Sequence, residues 1–150
     1  MKITQVLLGE HGVFYAWFDA IEASLRKNPN AEDIRELAIV LAPALKQHAH
    51  MEDELLFDAM SGTGPAAGPL AMMHIEHERI EGLLENACIA KTAGEGAATL
   101  RDAIDTARDH FAKEERIVFP LAEMQLSGAQ LEELAEKWAD RRGVVPLARV

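Results

Sequence analysis

Six residues of this chain have the types and spacing of a metal-ligand set. His48 and Glu52 stand four positions apart, and so do His110 and Glu114. On an α-helix, residues i and i+4 share a face about one turn apart, so each imidazole and its carboxylate can reach the same ion. The two stretches align without a gap: His48-Ala49-His50-Met51-Glu52-Asp53-Glu54-Leu55-Leu56-Phe57 on His110-Phe111-Ala112-Lys113-Glu114-Glu115-Arg116-Ile117-Val118-Phe119. Each reads H-x-x-x-E, a second acid, then two apolar residues and Phe. A Glu-His dipeptide precedes each stretch, Glu10-His11 before the first and Glu76-His77 before the second. The order H, then H-x-x-x-E, is therefore written twice.

Metal is the chemistry that reconciles these groups with a protein interior. A lone histidine on an apolar face is usually a satisfied core residue. Four histidines and two glutamates in duplicated order are not explained that way. Burying a carboxylate or an imidazole costs several kcal/mol unless it is paired or coordinated, and too few cations accompany these residues to pair them all. Carboxylate and imidazole without thiolate suit iron, manganese or zinc. Two glutamates on different helices could each bridge two ions.

The elements that must position these residues are helices. Breakers cluster at Asn28-Pro29-Asn30, from Ser61 through Pro65 to Pro69, at Thr92 to Gly96, and at Ser127-Gly128. They leave five helix-period stretches, roughly 3–27, 31–60, 69–91, 97–125 and 128–141, with no strand alternation between them. Asn30 and Ser127 are spaced as N-caps, and Pro120 is expected to kink or end the fourth helix just past the ligand region. Four inward stripes follow. The first is Leu7, His11, Phe14, Phe18 and Ile21. The second is Leu41, Leu45, His48, Glu52 and Leu55. The third is Leu70, His77, Leu84 and Cys88. The fourth is Ala103, Ala107, His110, Glu114, Ile117 and Leu121. Polar residues interrupt each apolar seam at mid-height. The expected fold is all-α: an up-down-up-down antiparallel four-helix bundle over about 1–125, with a short C-terminal fifth helix across one end, the whole a single domain.

Composition narrows the class further. Hydrophobic residues make up 49% of the chain and aromatics only 5%, a helical core palette. The net charge of −10 leaves no basic stripe for nucleic acid. No stretch is apolar for long enough to span a membrane. A single cysteine, Cys88, allows no internal disulfide and no cluster of four thiolates, and suits a reducing, cytoplasmic setting. The apolar run after Met1 is too short for a signal peptide. His50 falls on the face opposite His48 and is expected in solvent. Asp53 and Glu115 are expected beside the ligands or at the surface, Lys113 and Arg116 on a solvated face, and Met72 and Met73 in the core. Tyr15, four residues after His11, either turns its hydroxyl toward a ligand or a bridging carboxylate or serves as an amphipathic core residue.

On His11, His48, Glu52, His77, His110 and Glu114, the chain resembles the hemerythrin-like family, the HHE cation-binding domain. The resemblance covers about residues 1–125. It implies a non-haem diiron centre of two iron ions, with Glu52 and Glu114 as bridges and an oxo or hydroxo group as a third. The oxygen-carrying members have a fifth histidine, in an H-x-x-x-H on the third helix. Here Glu81 follows His77 by four and His74 precedes it by three, within about 20° of one another on the helical wheel. Either could be a seventh ligand. The resemblance implies binding of dioxygen, nitric oxide or a related small ligand, for carriage, sensing or scavenging. It also leaves open a diiron redox enzyme, acting on peroxide or nitric oxide or repairing iron centres, and an iron sensor or store.

Overall fold

The polar residues of the two H-x-x-x-E stretches lie in a layer between two apolar clusters. One cluster gathers Ile3, Leu7, Leu55, Leu56, Val118 and Ala122. The other gathers Phe14, Phe18, Leu41, Leu84, Leu100 and Ile104. The computed structural model that shows this describes residues 1–61 and 66–144. Those residues are helical, with no strand among them. Helix α1 spans Ile3–Leu25 and α2 spans Ala31–Met51. The second rod continues through a π-helical segment, Glu52–Phe57, and a last turn, Asp58–Met60. Helix α3 spans Ala67–Cys88 and α4 spans Ala93–Lys113. The fourth rod continues through a second π-helical segment, Glu114–Val118, and the turn Phe119–Gln125; α5 spans Gly128–Arg142. Among the described residues, no helix is long and apolar enough to cross a membrane.

The ends follow the local chemistry. Asn30 accepts the Asp33 N–H at 2.9 Å, and Ser127 forms a capping box with Gln130. The fourth helix starts earlier than the Gly-rich run suggests. Thr92 caps it by accepting the Glu95 N–H, and Gly94 and Gly96 lie inside its first turns. Gly96 is small because α2 approaches it: a Cβ there would meet Ile34 Cγ2 at 3.0 Å. Pro69 sits in the first turn of α3 rather than in a loop. Its missing N–H would have had no intrahelical partner there. The expected loop residues 62–65 lie outside the described residues.

One correction comes from the π segments. The fourth rod runs to Gln125, the expected end of that stretch, so Pro120 does not end it. The same π widening occurs after Glu52, where no proline is present, so proline is not its cause. In each segment an N–H reaches back five residues, Asp58 to the Asp53 carbonyl and Phe119 to the Glu114 carbonyl. The extra residue per turn rotates the inward face by one position. Ile117 is therefore exposed and Leu121 only half-buried, while Val118 and Ala122 are buried in their place.

Helix α5 buries Leu131, Leu134 and Ala135 in the cluster shared with Ile3, Leu7 and Leu55, and Ala139 is buried as well. Met73 is in that cluster as expected, but Met72 is exposed. Cys88 is half-buried, and burial together with the nearby Glu85 pushes its thiol up.

Candidate metal centre

All six residues of the duplicated pattern are buried, and they meet. His11 comes from α1, His48 from the last turn of α2, His77 from α3 and His110 from the last turn of α4. Glu52 and Glu114 open the two π segments. Ligand atoms of His11, His48, Glu52 and Glu114 lie within 4.8 Å of one another, and so do those of Glu52, His77, His110 and Glu114. The two tetrads share both glutamates. Glu52 turns Oε1 toward His48 Nε2 at 3.2 Å and His11 Nε2 at 3.6 Å, and Oε2 toward His77 Nε2 at 3.4 Å. Glu114 turns Oε2 toward His11 Nε2 at 3.4 Å and Oε1 toward His110 Nε2 at 3.3 Å. Each carboxylate thus presents one oxygen to each tetrad.

Among the described residues, the atoms that face one another here make no hydrogen bond. The Nε2 atoms of the four histidines and all four oxygens of Glu52 and Glu114 are buried without a hydrogen bond. Buried polar atoms of native proteins are almost always satisfied, so a convergent set of orphans calls for an unseen partner. Neutral imidazole and carboxylate donors in this arrangement fit divalent metal ions.

The opposite nitrogen of each ring is held by a carboxylate. His48 Nδ1 meets Glu10 at 2.7 Å, His110 Nδ1 meets Glu76 at 2.9 Å, His11 Nδ1 meets Glu115 at 3.0 Å and His77 Nδ1 meets Asp53 at 3.1 Å. A carboxylate that accepts the Nδ1 proton fixes the tautomer and leaves Nε2 as the donor to a metal. The pattern obeys the duplication. The acid preceding each lone histidine holds the histidine of an H-x-x-x-E pair, and the acid following each shared glutamate holds a lone histidine. The two repeat phenylalanines behave alike: Phe57 stacks on His77 and Phe119 on His11. Glu10 and Glu76 had no role assigned in the sequence reading. The duplicated Glu-His dipeptide was the signal that could have found them.

Beyond these carboxylates the two halves differ. Glu115 accepts the Tyr15 hydroxyl at 3.0 Å, so Tyr15 serves an acid behind His11 and not Glu52 or Glu114. Asp53 takes His74 Nδ1 at 3.0 Å. Glu76 pairs with Lys113, which therefore does not lie on an idle solvated face. Glu10 is gripped by α5: Arg142 pairs with it at 2.6 Å and Trp138 Nε1 donates to it at 3.3 Å. The structure brings neither His74 nor Glu81 into the tetrads. His74 is half-exposed on Asp53, and Glu81 pairs with Lys46 at 2.8 Å. His50 is exposed.

The electrostatics bind protons where a metal would sit. Burial pushes His11 down, but Glu114 and Glu52 outweigh it and raise it to about 10. Burial likewise opposes His48, which Glu52 and Glu10 raise to about 9, and His77, which Asp53 and Glu52 raise to about 10. Glu52 is held well below the usual carboxylate range: burial works against it, and His48, His11 and His77 prevail. Burial and the bond to Glu115 push Tyr15 up to about 12, so its hydroxyl keeps its proton.

In a comparison with protein families, the chain matches the hemerythrin HHE cation binding domain over residues 2–122. No curated protein and no solved structure matches the chain. The matched span contains all six residues of the tetrads and stops before α5.

Proposed function

The chain belongs to the hemerythrin family of HHE cation-binding domains, and from that premise we propose that it holds two iron ions and binds dioxygen, nitric oxide or a similarly small ligand for carriage, sensing or scavenging. One observation carries the reading: Glu52 and Glu114 each offer one oxygen to a tetrad on either side. His11 and His48 would complete one metal position, and His77 and His110 the other. The four long helices would run up, down, up and down, with α5 as a fifth, in a single domain that clamps the pair.

The roles of the residues follow from their contacts. Glu52 and Glu114 supply the negative charge between the two positions. The imidazoles are aimed by Glu10, Asp53, Glu76 and Glu115 through Nδ1. Phe57, Phe111 and Phe119 cover the imidazoles and exclude water from their faces. When bound, a pair of iron ions would supply adjacent redox-active centres.

A second reading, redox turnover of peroxide or nitric oxide, is favoured by a specific feature. Carboxylates behind every imidazole raise ligand basicity and stabilise the more oxidised metal. Iron-loaded protein exposed to dioxygen or nitric oxide separates the two. A spectrum that reverses on removing the gas supports carriage or sensing. Steady consumption of hydrogen peroxide or nitric oxide supports the enzyme. No spectral response to any of them would contradict both.

A further inference from the structure

His74 belongs to neither tetrad, yet it stands at the rim of the centre. It lies three residues before His77 on α3, so the two imidazoles share a helix face. Both turn Nδ1 to the same oxygen of Asp53, His74 at 3.0 Å and His77 at 3.1 Å. The three ligand atoms lie within 4.8 Å of one another. Phe57 steadies the pair: its ring stacks on His77 at 5.9 Å and meets His74 edge-on at 5.7 Å. Two atoms bound to one ion at about 2.1 Å, at octahedral or tetrahedral angles, lie about 3.0–3.4 Å apart. Asp53 therefore already holds each imidazole at the spacing of a coordination sphere. Two imidazoles and one carboxylate suit ferrous iron.

The carboxylates behind the other three imidazoles are closed to a cation. Glu10 carries Arg142 and the Trp138 N–H, and Glu76 carries Lys113. Glu115 carries the Tyr15 hydroxyl, and the His11 that it holds is fully buried. Among the described residues, Asp53 alone of the four has a metal-binding side chain as its second partner. This corner is also the open one. The His74 side chain is 52% exposed and that of Asp53 28%. His77 is 6% exposed, where His11, His48 and His110 are at most 1%.

We propose that His74, Asp53 and His77 Nδ1 form a landing site for ferrous iron at the surface, through which the buried centre is filled. The inference rests on the dimetal reading above and adds a route to it. Binding at the rim takes one ring proton from His77 and leaves the other on Nε2, which faces Glu52 at 3.4 Å. When Nε2 becomes a donor to the tetrad, the remaining proton belongs on Nδ1, where Asp53 accepts it. The rim then keeps only His74 and Asp53, too few donors to hold an ion tightly. The site is strong while the centre is empty and weak once it is full, so it delivers metal and does not store it.

The experiment times the filling. Cobalt(II), which takes the same donors, is mixed with metal-free protein in a stopped-flow cell. Its visible absorption bands follow uptake, and bound metal is counted at the end. His74→Ala, His74→Arg, His74→Cys and Ile89→Arg are compared with the parent chain. His74→Arg keeps a hydrogen-bond donor for Asp53 while placing a cation on the path, so it preserves any purely structural part that His74 plays. Ile89→Arg adds the same charge at an exposed position fifteen residues further along the chain, about 22 Å away at the helical rise. Two ions are expected in every chain. Filling should slow tenfold or more in His74→Ala and His74→Arg, and keep the parent's rate in His74→Cys and Ile89→Arg. In the parent the rate should level off as cobalt is raised, because the rim fills first, and His74→Ala should lose that saturation. Unchanged rates in His74→Ala and His74→Arg, or equal slowing in Ile89→Arg, would overturn the proposal. If the parent chain ends with fewer than two ions, the dimetal reading falls, and the rim is judged by itself. Zinc added to that chain should shift the His74 imidazole resonances, and Asp53→Asn should abolish the shift. Resonances that zinc leaves unmoved, or moves equally in Asp53→Asn, would overturn the landing site.

Discussion

Removing the metal should make this protein sensitive to alkali. In the metal-free chain His11 and His77 are raised to about 10 and His48 to about 9, against an ordinary 6.5. A group whose pKa is higher folded than unfolded contributes stability that is fully present below 6.5. That contribution is lost as pH climbs through the folded value. The metal-free protein should therefore weaken steadily between about pH 6.5 and pH 10. The three histidines share Glu52, so their contributions do not add. His48 alone, moved from 6.5 to about 9, corresponds to about 3 kcal/mol. For a chain of this length that is a fall in Tm of roughly 10 °C. Thermal unfolding followed by circular dichroism across this pH range, with and without metal, measures it. Metal displaces the protons, so the loaded protein should lose far less. Surface groups that titrate near pH 10 are controlled by Glu52→Gln, which removes the charge that raises the histidines and should flatten the curve. A metal-free Tm that does not change between pH 6.5 and pH 10, or falls equally in Glu52→Gln, would refute the reasoning.

Further outcomes follow from the same contacts. Iron uptake near pH 7.5 should expel about two to three protons per chain, because ligands must be deprotonated to bind; calorimetry in buffers of different ionisation enthalpy counts them, and release of less than one would contradict the protonated imidazoles. Arg142→Met frees Glu10 and should weaken the ion on the His11 and His48 half by roughly tenfold or more. Lys113→Met frees Glu76 and should act on the His110 half instead; stepwise cobalt titrations distinguish the two. His50→Ala and His74→Ala should keep full metal content by elemental analysis, since neither side chain belongs to a tetrad. On the acid side, Glu52 is held low, so its contribution is present above about pH 4.5 and fades as pH falls through its lowered value.

The helices and the six converging residues could be read from the chain because two periodicities agree there. The apolar seams carry the 3.6-residue period, and the H-x-x-x-E pairs carry i, i+4. The reading failed at Ile117 and Leu121, where a π segment adds one residue to a turn, and neither composition nor period marks that insertion. It failed again at Thr92, because a Gly-rich run looks like a loop until the close approach of Ile34 to Gly96 is known. Glu10, Glu76 and Lys113 lie on different helices from some or all of their partners, so only the tertiary structure pairs them with an imidazole or an acid. The grip of Trp138 and Arg142 on Glu10 spans most of the chain and has no local signature. Its counterpart in the second half, Lys113, aligns with the buried Met51, so α5 supplies the cation that the first repeat lacks.

The central claim is that Glu52 and Glu114 are shared by two metal positions. Anaerobic loading with manganese, followed by metal analysis and electron paramagnetic resonance, tests it most directly. The account predicts two ions per chain whose spectrum is that of an exchange-coupled pair, with the coupling lost when Glu52 or Glu114 is replaced by alanine. One ion per chain, or two ions showing the hyperfine pattern of isolated manganese, would contradict it.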